Sequence, residues 1–159
     1  MAIQFKETLA AFAVGRRVNM EEWNGITRTK EGAGTLGFGV PVTVGTGAHT
    51  CIELPATTGQ NVLGITEASQ VLPHTGDAYA QYDNVDICES GVIGVLLGDD
   101  VVRGAQARWD TVAKAWTDAA QSATVVTIPG AQFEEAGLSG EVGAIRYRRP
   151  VPSLSVSGA

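Results

Sequence analysis

The sequence has few of the residues on which disulfide-stabilised, metal-binding or catalytic proteins depend. It contains 2 cysteines and 2 histidines in 159 residues, too few for a disulfide framework. Its start lacks the basic and apolar regions of an export signal. We therefore expect Cys51 and Cys88 to be buried thiols in a protein that stays inside the cell that makes it. No apolar run approaches the roughly 18–20 residues of a membrane-spanning helix, so we expect no membrane partner.

Charged residues are also scarce, and they are unevenly distributed. They make up 18% of the chain, compared with about 25% in a typical soluble domain. Residues 31–145 carry a large acidic excess, whereas residues 1–30 and 146–159 carry a basic excess. The net charge is −6, which argues against nucleic acid as the main partner. We expect the basic ends to contact a different surface from the one that the acidic body presents.

Glycine, in contrast, is abundant, with 20 residues in the chain, nearly double the usual share of about 7%. Short segments of alternating or apolar residues, separated by glycine or proline, predict strands, and Trp109 and Trp116 are predicted to lie on the two arms of a hairpin. Pro41 favours an edge position for its strand. The other predicted strands are residues 40–44, 50–54, 62–66, 85–88, 92–97, 124–128 and 142–147. This pattern is typical of a sandwich or barrel, and we predict an all-β body over residues 39–149.

The two ends of the chain differ from this body. Residues 1–38 have scattered large apolar groups without a sustained period, and we predict that they form an N-terminal arm. Within it, Phe5, Leu9 and Phe12 fall at helical spacing and Gly15 is placed to cap a short helix. Residues 150–159 are uncharged and rich in proline and serine, which predicts a flexible or docking tail.

A glycine motif in the arm imitates a nucleotide-binding loop. Residues 32–37, GAGTLG, match the G-x-G-x-x-G pattern. That pattern binds pyrophosphate when a strand precedes it and a helix follows it. Here TRTKE precedes the motif and the strand-like FGVPVTV follows it. We therefore interpret the motif as a glycine hinge and expect no cofactor.

Candidate catalytic and metal-binding groups are sparse. The soft ligands lack the paired spacing of a zinc site; they are His49, Cys51, His74 and Cys88. The adjacent carboxylates Asp99-Asp100 and Glu134-Glu135 are poorly placed for paired acid–base chemistry, because neighbours on a strand point to opposite faces. No serine or cysteine stands in a recognisable nucleophile motif. We expect neither a metal site nor an enzyme.

Several blocks, taken in order, resemble the structural cement, or capsid decoration, proteins of tailed phages. They are Gly39–Val44, Val62–Thr66, Val85–Val95, Val101–Asp110 and Trp116-Thr117. The upstream stretch GRRVNMEEWNGITRT, residues 15–29, is similar to the arm of myophage members that carry an NMEEWN block. The resemblance covers residues 15–147, and residues 118–140 depart from it.

The resemblance implies a small, glycine-rich β-barrel or sandwich of the β-tulip-like kind, with an extended N-terminal arm. Such a protein is made in the host cytoplasm and lies on the outer surface of the capsid in the virion. Its partners would be the major capsid protein, whose neighbouring subunits it cements against the internal DNA pressure, and other copies of itself, as a trimer or a dimer. Neither catalysis nor direct contact with nucleic acid is implied.

The basic ends and two apolar residues of the arm are the candidate capsid-binding residues. Arginines can pair with an acidic protein surface, and large apolar groups on an arm need a surface against which to be buried. The set consists of Arg16, Arg17, Met20, Trp23, Arg146, Arg148 and Arg149.

An alternative function is a receptor- or surface-binding β module of the virion that binds carbohydrate. Trp109, Trp116 and Tyr82 would then form an exposed platform on which sugar rings stack. The competing interpretation of the tryptophans is a cross-strand pair inside a hairpin.

Overall fold

The computed structural model describes residues 13–19, 21–56, 61–68 and 78–150. In these ranges the chain forms β-strands and no helix, which confirms the all-β prediction. No described segment is therefore a helix capable of crossing a bilayer. The strands are β1 Asn24–Lys30, β2 Leu36–Gly37, β3 Pro41–Val44, β4 Thr50–Glu53, β5 Val62–Thr66, β6 Ala78–Tyr79, β7 Asn84–Leu96, β8 Gln106–Asp110, β9 Ala115–Thr117, β10 Val125–Phe133 and β11 Val142–Arg148.

The first half of the molecule is a small closed barrel of five strands. Its strands follow the order β1-β4-β3-β5-β7, and β7 pairs in turn with β1, which closes the ring. The β1–β4 pair is parallel and the others are antiparallel. Closure leaves no free edge in this half, so its backbone groups are satisfied around the ring. A separate two-stranded pair, β2 with β6, accompanies it.

The second half is built on the same long strand. β7 runs for 13 residues, and beyond the first barrel it pairs with β11, which continues through β10 and β8 to β9. This half closes more weakly, through a bridge between Leu97 and Trp116 and a hydrogen bond of 2.8 Å from the Gly98 amide to the Trp116 carbonyl. The two halves therefore share one strand as a common wall.

One continuous apolar core fills both halves. Trp109 and Trp116 lie opposite each other on β8 and β9, are almost fully buried, and meet edge to face with ring centroids 5.6 Å apart. The predicted hairpin is confirmed. Cys51 and Cys88 are buried free thiols, as expected. Burial raises the pKa of Cys51 to about 11 and that of Cys88 to about 12.

Two local expectations differ from the structure. The predicted strands at 85–88 and 92–97 are one strand, because β7 continues through Gly91. Pro41 does not lie on an edge strand, since β3 pairs with both β4 and β5. Proline is tolerated there because it is the first residue of the strand, and its carbonyl still accepts the Leu54 amide at 3.0 Å.

Part of the segment predicted as an arm is built into the sheet. Residues 24–30 form β1, which pairs along β7 from Asn84 to Ser90. The glycine motif at 32–37 follows β1 and ends in the short β2, and the next element is strand β3, not a helix. The division into arm, body and tail stays a prediction, because residues 1–12, including the possible helix, and residues 151–159 lie outside the described residues.

Candidate functional site: the root of the N-terminal segment

The N-terminal segment is anchored along β7. The Gly15 amide donates a hydrogen bond to the Gly94 carbonyl at 2.8 Å, and the Gly94 amide donates one to the Arg16 carbonyl at 2.9 Å. Arg17 pairs with Ile93, which pairs with Ile145 of β11 on its other side. Residues 15–18 therefore lie beside β7, on the side opposite β11, and continue the line of β1. We call these residues, together with the preceding Val14, the root (residues 14–18).

Between the root and β1, the chain makes a short excursion across the face of β7. The Trp23 ring lies directly on Gly91, where a Cβ would be 2.4 Å from the ring. Gly91 has a φ of 149°, a conformation that favours glycine. The Arg17 guanidinium stacks over the same ring, 4.3 Å from its centroid, in a cation–π contact. Glycine at position 91 thus makes room for the Trp23 ring to pack against β7.

Ion pairs fasten this excursion to β11. Glu21 contacts Arg146 at 2.5 Å, and Arg146 also pairs with Glu134. Glu22 lies 3.3 Å from Arg148. Hydrogen bonding with Arg146 lowers the pKa of Glu21, and hydrogen bonding with Glu134 and Glu21 raises the pKa of Arg146. The ion pairs of Glu21 and Glu22 with Arg146 and Arg148 therefore cross over β7 and connect the excursion to β11.

A fourth ion pair extends the contact along β7. Arg149 donates from its side chain to Glu89 at 2.7 Å and from its backbone amide to the Glu89 carbonyl at 3.0 Å. Asn24 donates its side-chain amide to the same carboxylate at 2.8 Å. A surface groove of about 440 Å³ runs beside these groups, lined partly by Glu22, Glu89 and Arg148. It is polar, and the charges that line it are already paired within the chain.

A half-buried carboxyl lies under the excursion. Burial raises the pKa of Glu67, and the nearby Asp86 acts in the same direction, whereas Arg17 and a hydrogen bond with Trp23 lower it. A Cβ on Gly25 would lie 3.3 Å from Glu67 Oε1. Trp23 thus contacts the Arg17 guanidinium through its ring and the Glu67 carboxyl through its indole nitrogen.

The structure gathers six of the seven candidate residues around one stretch of β7, from Glu89 to Gly94. Met20 lies outside the described residues. The three C-terminal arginines are paired with glutamates of the same chain, and these partners, with Gly91, were not anticipated from the sequence. The only available signal was the acidic Glu21-Glu22 doublet beside Trp23. By contrast, Arg17 is exposed and Arg16 is partly exposed.

Other candidate groups do not form a site. The two tryptophans of the proposed sugar platform are buried, so that platform is wrong, although Tyr82 is 76% exposed. The Asp99 carboxylate pairs with the Thr117 hydroxyl, and Asp100 accepts the Ser139 amide at 2.9 Å. Among the described residues, no three His, Cys, Asp or Glu side chains lie close enough together to hold a metal ion.

Comparison with known families identifies the chain. The family described as "Structural cement protein (E217 gp24/Pam3 gp6)" matches residues 1–148. The chain belongs to this family of phage structural proteins. Its role is thus capsid-associated and structural, and the family indicates a component of the virion.

A solved structure shares the fold of this cement-family chain. A chain of "The capsid of Myoviridae Phage XM1" superimposes with a TM-score of 0.73 at 13% sequence identity, covering 95% of this chain and 100% of that one. A comparison with curated proteins finds no match. At this identity the likeness shows the fold, which agrees with the small barrel described above.

Proposed function

We propose that this protein decorates the outer surface of a tailed-phage capsid and cements neighbouring major capsid protein subunits, stabilising the head against internal DNA pressure. The observation that carries the proposal is the family match, which spans residues 1–148 and so includes both the root and the strands that hold it. The fold supports it as well. The described residues form two closed halves around one apolar core.

In this proposal the candidate residues divide into two groups with different tasks. Arg16 and Arg17, with Met20 and Trp23, contact the major capsid protein directly, the arginines by pairing with acidic groups. Arg146, Arg148 and Arg149 act as positioning residues, because their charges are already paired with Glu21, Glu22, Glu89 and Glu134. They hold the excursion so that the root presents its cations in one orientation.

Self-association belongs to the same proposal. A trimer or dimer on the capsid would present several roots at once. Linked contacts raise the overall affinity without any contact being strong by itself, because each further binding event is intramolecular. Modest individual interactions at each root are therefore sufficient.

The proposal is tested by measuring binding to capsids from which this protein has been stripped. Light scattering after size exclusion first gives the oligomeric state, and co-sedimentation then gives occupancy. Saturable binding at a fixed ratio to the major capsid protein supports cementing, and decorated heads should then resist heat or osmotic shock better than stripped ones. A folded protein that does not sediment with stripped capsids would overturn the proposal.

The division of the candidate residues is tested by charge removal. The double variant Arg16→Gln/Arg17→Gln should lower capsid occupancy, and the loss should be larger at low ionic strength. Arg103→Gln is the control, since Arg103 is exposed in the turn before β8, away from the root. Equal occupancy of the double variant and the control would contradict direct contact by the root arginines.

A further inference from the structure

A second groove lies where the described chain begins. It has a volume of about 430 Å³ and a mostly apolar lining: Ala13, Val14, Arg16, Gly37, Phe38 and Ala68. Phe38 forms one wall of the groove, and its ring packs edge to face against the Tyr79 ring, with centroids 5.3 Å apart. The groove is separate from the ion pairs on β11.

The packing of the root fixes the position of the chain at the point where the described residues begin. Gly15 has a φ of 77° and is wedged so tightly that a Cβ would lie 2.8 Å from both the Ala68 nitrogen and Phe38 Cβ. Val14 packs on Gly39, where a Cβ would lie 2.7 Å from Val14 Cγ1. The Ala68 amide donates to the Gly15 carbonyl at 2.8 Å. Ala13 itself lines the groove, so the described chain begins at the rim of the groove.

The sequence of those first residues matches the groove in chemistry. Phe5, Leu9 and Phe12 form an apolar stripe at helical spacing. Twelve residues reach about 18 Å as a helix and up to about 40 Å when extended. A segment tethered at the rim has an effective concentration in the millimolar range, which a second molecule reaches only after association. The same chain is therefore the favoured occupant.

We propose that this groove is the docking site for the apolar stripe of residues 1–12 of the same chain. The free protein then covers its own large apolar side chains instead of exposing them to water. Docking gains the free energy of burying that apolar surface and loses the conformational freedom of a short segment. This proposal concerns the isolated protein and does not rest on capsid binding.

Disulfide trapping tests the proposal in the full-length chain. The pair Thr8→Cys/Ala68→Cys places one thiol beside the stripe and one in the groove while keeping all three apolar residues. Native Cys51 and Cys88 are buried with raised pKa values, so they do not compete for oxidation. We expect an intrachain disulfide, seen as a shift in non-reducing electrophoresis and confirmed by peptide mass.

The matched control keeps the same cysteines and the same tether length. In the background Phe5→Ser/Leu9→Ser/Phe12→Ser, oxidation should be slower by about tenfold, because only random encounters remain. An unchanged rate would show that the tether alone brings the thiols together, and would overturn docking. Disulfide-linked dimers in place of the intrachain product would overturn the assignment to the same chain, and the absence of any disulfide would overturn both.

Hydrogen exchange gives a second measurement that needs no added cysteine. In the triple serine variant, the amide hydrogens of Gly15 and Ala68 should exchange faster than in the unsubstituted protein, because the segment no longer covers the groove. Lys6→Ser/Glu7→Ser serves as the control at polar positions of the same segment and should exchange like the unsubstituted protein. Equal exchange in the triple variant and in this control would overturn the proposal even if a disulfide had formed.

Discussion

The two halves of the molecule share one strand but are closed in different ways. In the first half, ladders join strands far apart in the sequence, such as β1 with β7 and β4. In the second half, antiparallel neighbours follow each other along the chain, β8 with β9 and β10 with β11, and the ring is completed by one bridge beside the paired tryptophans. Continuous ladders close the first half, whereas buried aromatic packing closes the second.

This difference explains where the candidate site lies. The root and its excursion depend on β7, which neither half can lose without opening. Residues 15–18 lie along the edge of β7 that also pairs with β1. β11 pairs with the other edge of β7 and carries Arg146 and Arg148. A surface held from both halves has a defined geometry, as a docking surface requires.

The largest effect should come from removing the side chain that closes the second half. Trp116→Ala should lower the free energy of unfolding by about 3–5 kcal/mol, since it empties a fully buried aromatic site. Urea denaturation measures the loss. Hydrogen exchange should then show faster opening of β8 and β9 than of β3 and β5. Equal acceleration in both halves would show that they open as one unit.

The two tryptophans offer a matched comparison of hydrogen bonding. The Trp116 indole donates to the Gly39 carbonyl at 2.7 Å, whereas the buried Trp109 indole nitrogen has no partner among the described residues. Trp116→Phe should therefore cost about 1–3 kcal/mol more than Trp109→Phe, because it leaves a buried carbonyl unpaired. Equal costs would mean that ring packing alone matters.

The contact of Trp23 with β7 is broken by adding one carbon. Gly91→Ala should destabilise the protein by about 1–3 kcal/mol, because the new methyl overlaps the ring and the φ is strained. It should also shift the Trp23 indole signal in NMR spectra. Gly140→Ala is the control, since Gly140 has a φ of 82° but open space around it. A Trp23 signal that stays in place would contradict the ring position described here.

Much of the second half could be predicted from the sequence, and less of the first half could. The strand predicted at residues 142–147 ends one residue before β11 does, and the Trp109–Trp116 hairpin followed from local alternation. β1, in contrast, has the polar sequence NGITRTK, and only Lys30 of it is buried, so it carries no apolar pattern. The ion pairs could not be predicted either, because Glu21 meets Arg146 only through the register of β11 on β7. Long-range pairing of this kind leaves no trace in local spacing.

Removing the two ion pairs of Arg146 should have a smaller effect than any of the changes above. Arg146→Gln should cost about 1 kcal/mol or less, because both pairs are partly exposed to solvent. The cost should shrink at high salt. A double-mutant cycle with Glu21→Gln measures the coupling between the two side chains. A coupling of zero would remove Arg146 from the group of positioning residues, and Arg148→Gln then tests the neighbouring pair separately.

The smallest expected effect is a pH dependence of stability that arises from Glu31 in the first half. The Glu31 carboxylate, just after β1, accepts hydrogen bonds from Thr46, Thr50 and Gly47 in and beside the β3–β4 turn, and these lower its pKa from 4.5 to about 2. A lowered folded pKa means that this stabilisation is complete above pH 4.5 and is lost as the pH falls towards about 2. Glu31→Gln should therefore be less stable than the unsubstituted protein near pH 6, with the difference narrowing below pH 4.5. Urea midpoints that differ by the same amount at pH 6 and pH 3 would contradict this.

The shared strand also sets the order in which the molecule can be completed during synthesis. β1 leaves the ribosome early, but its ladder partner on β7 begins at Asn84, more than fifty residues later. The first barrel therefore cannot close until β7, which also belongs to the second half, has been synthesised. β8 and β9 can pair as soon as residues 106–117 are made, because their contacts are local. The N-terminal half of the chain is thus first to be made and depends for its closure on a strand near the middle, so a chain truncated before β7 would expose unpaired strands prone to aggregation.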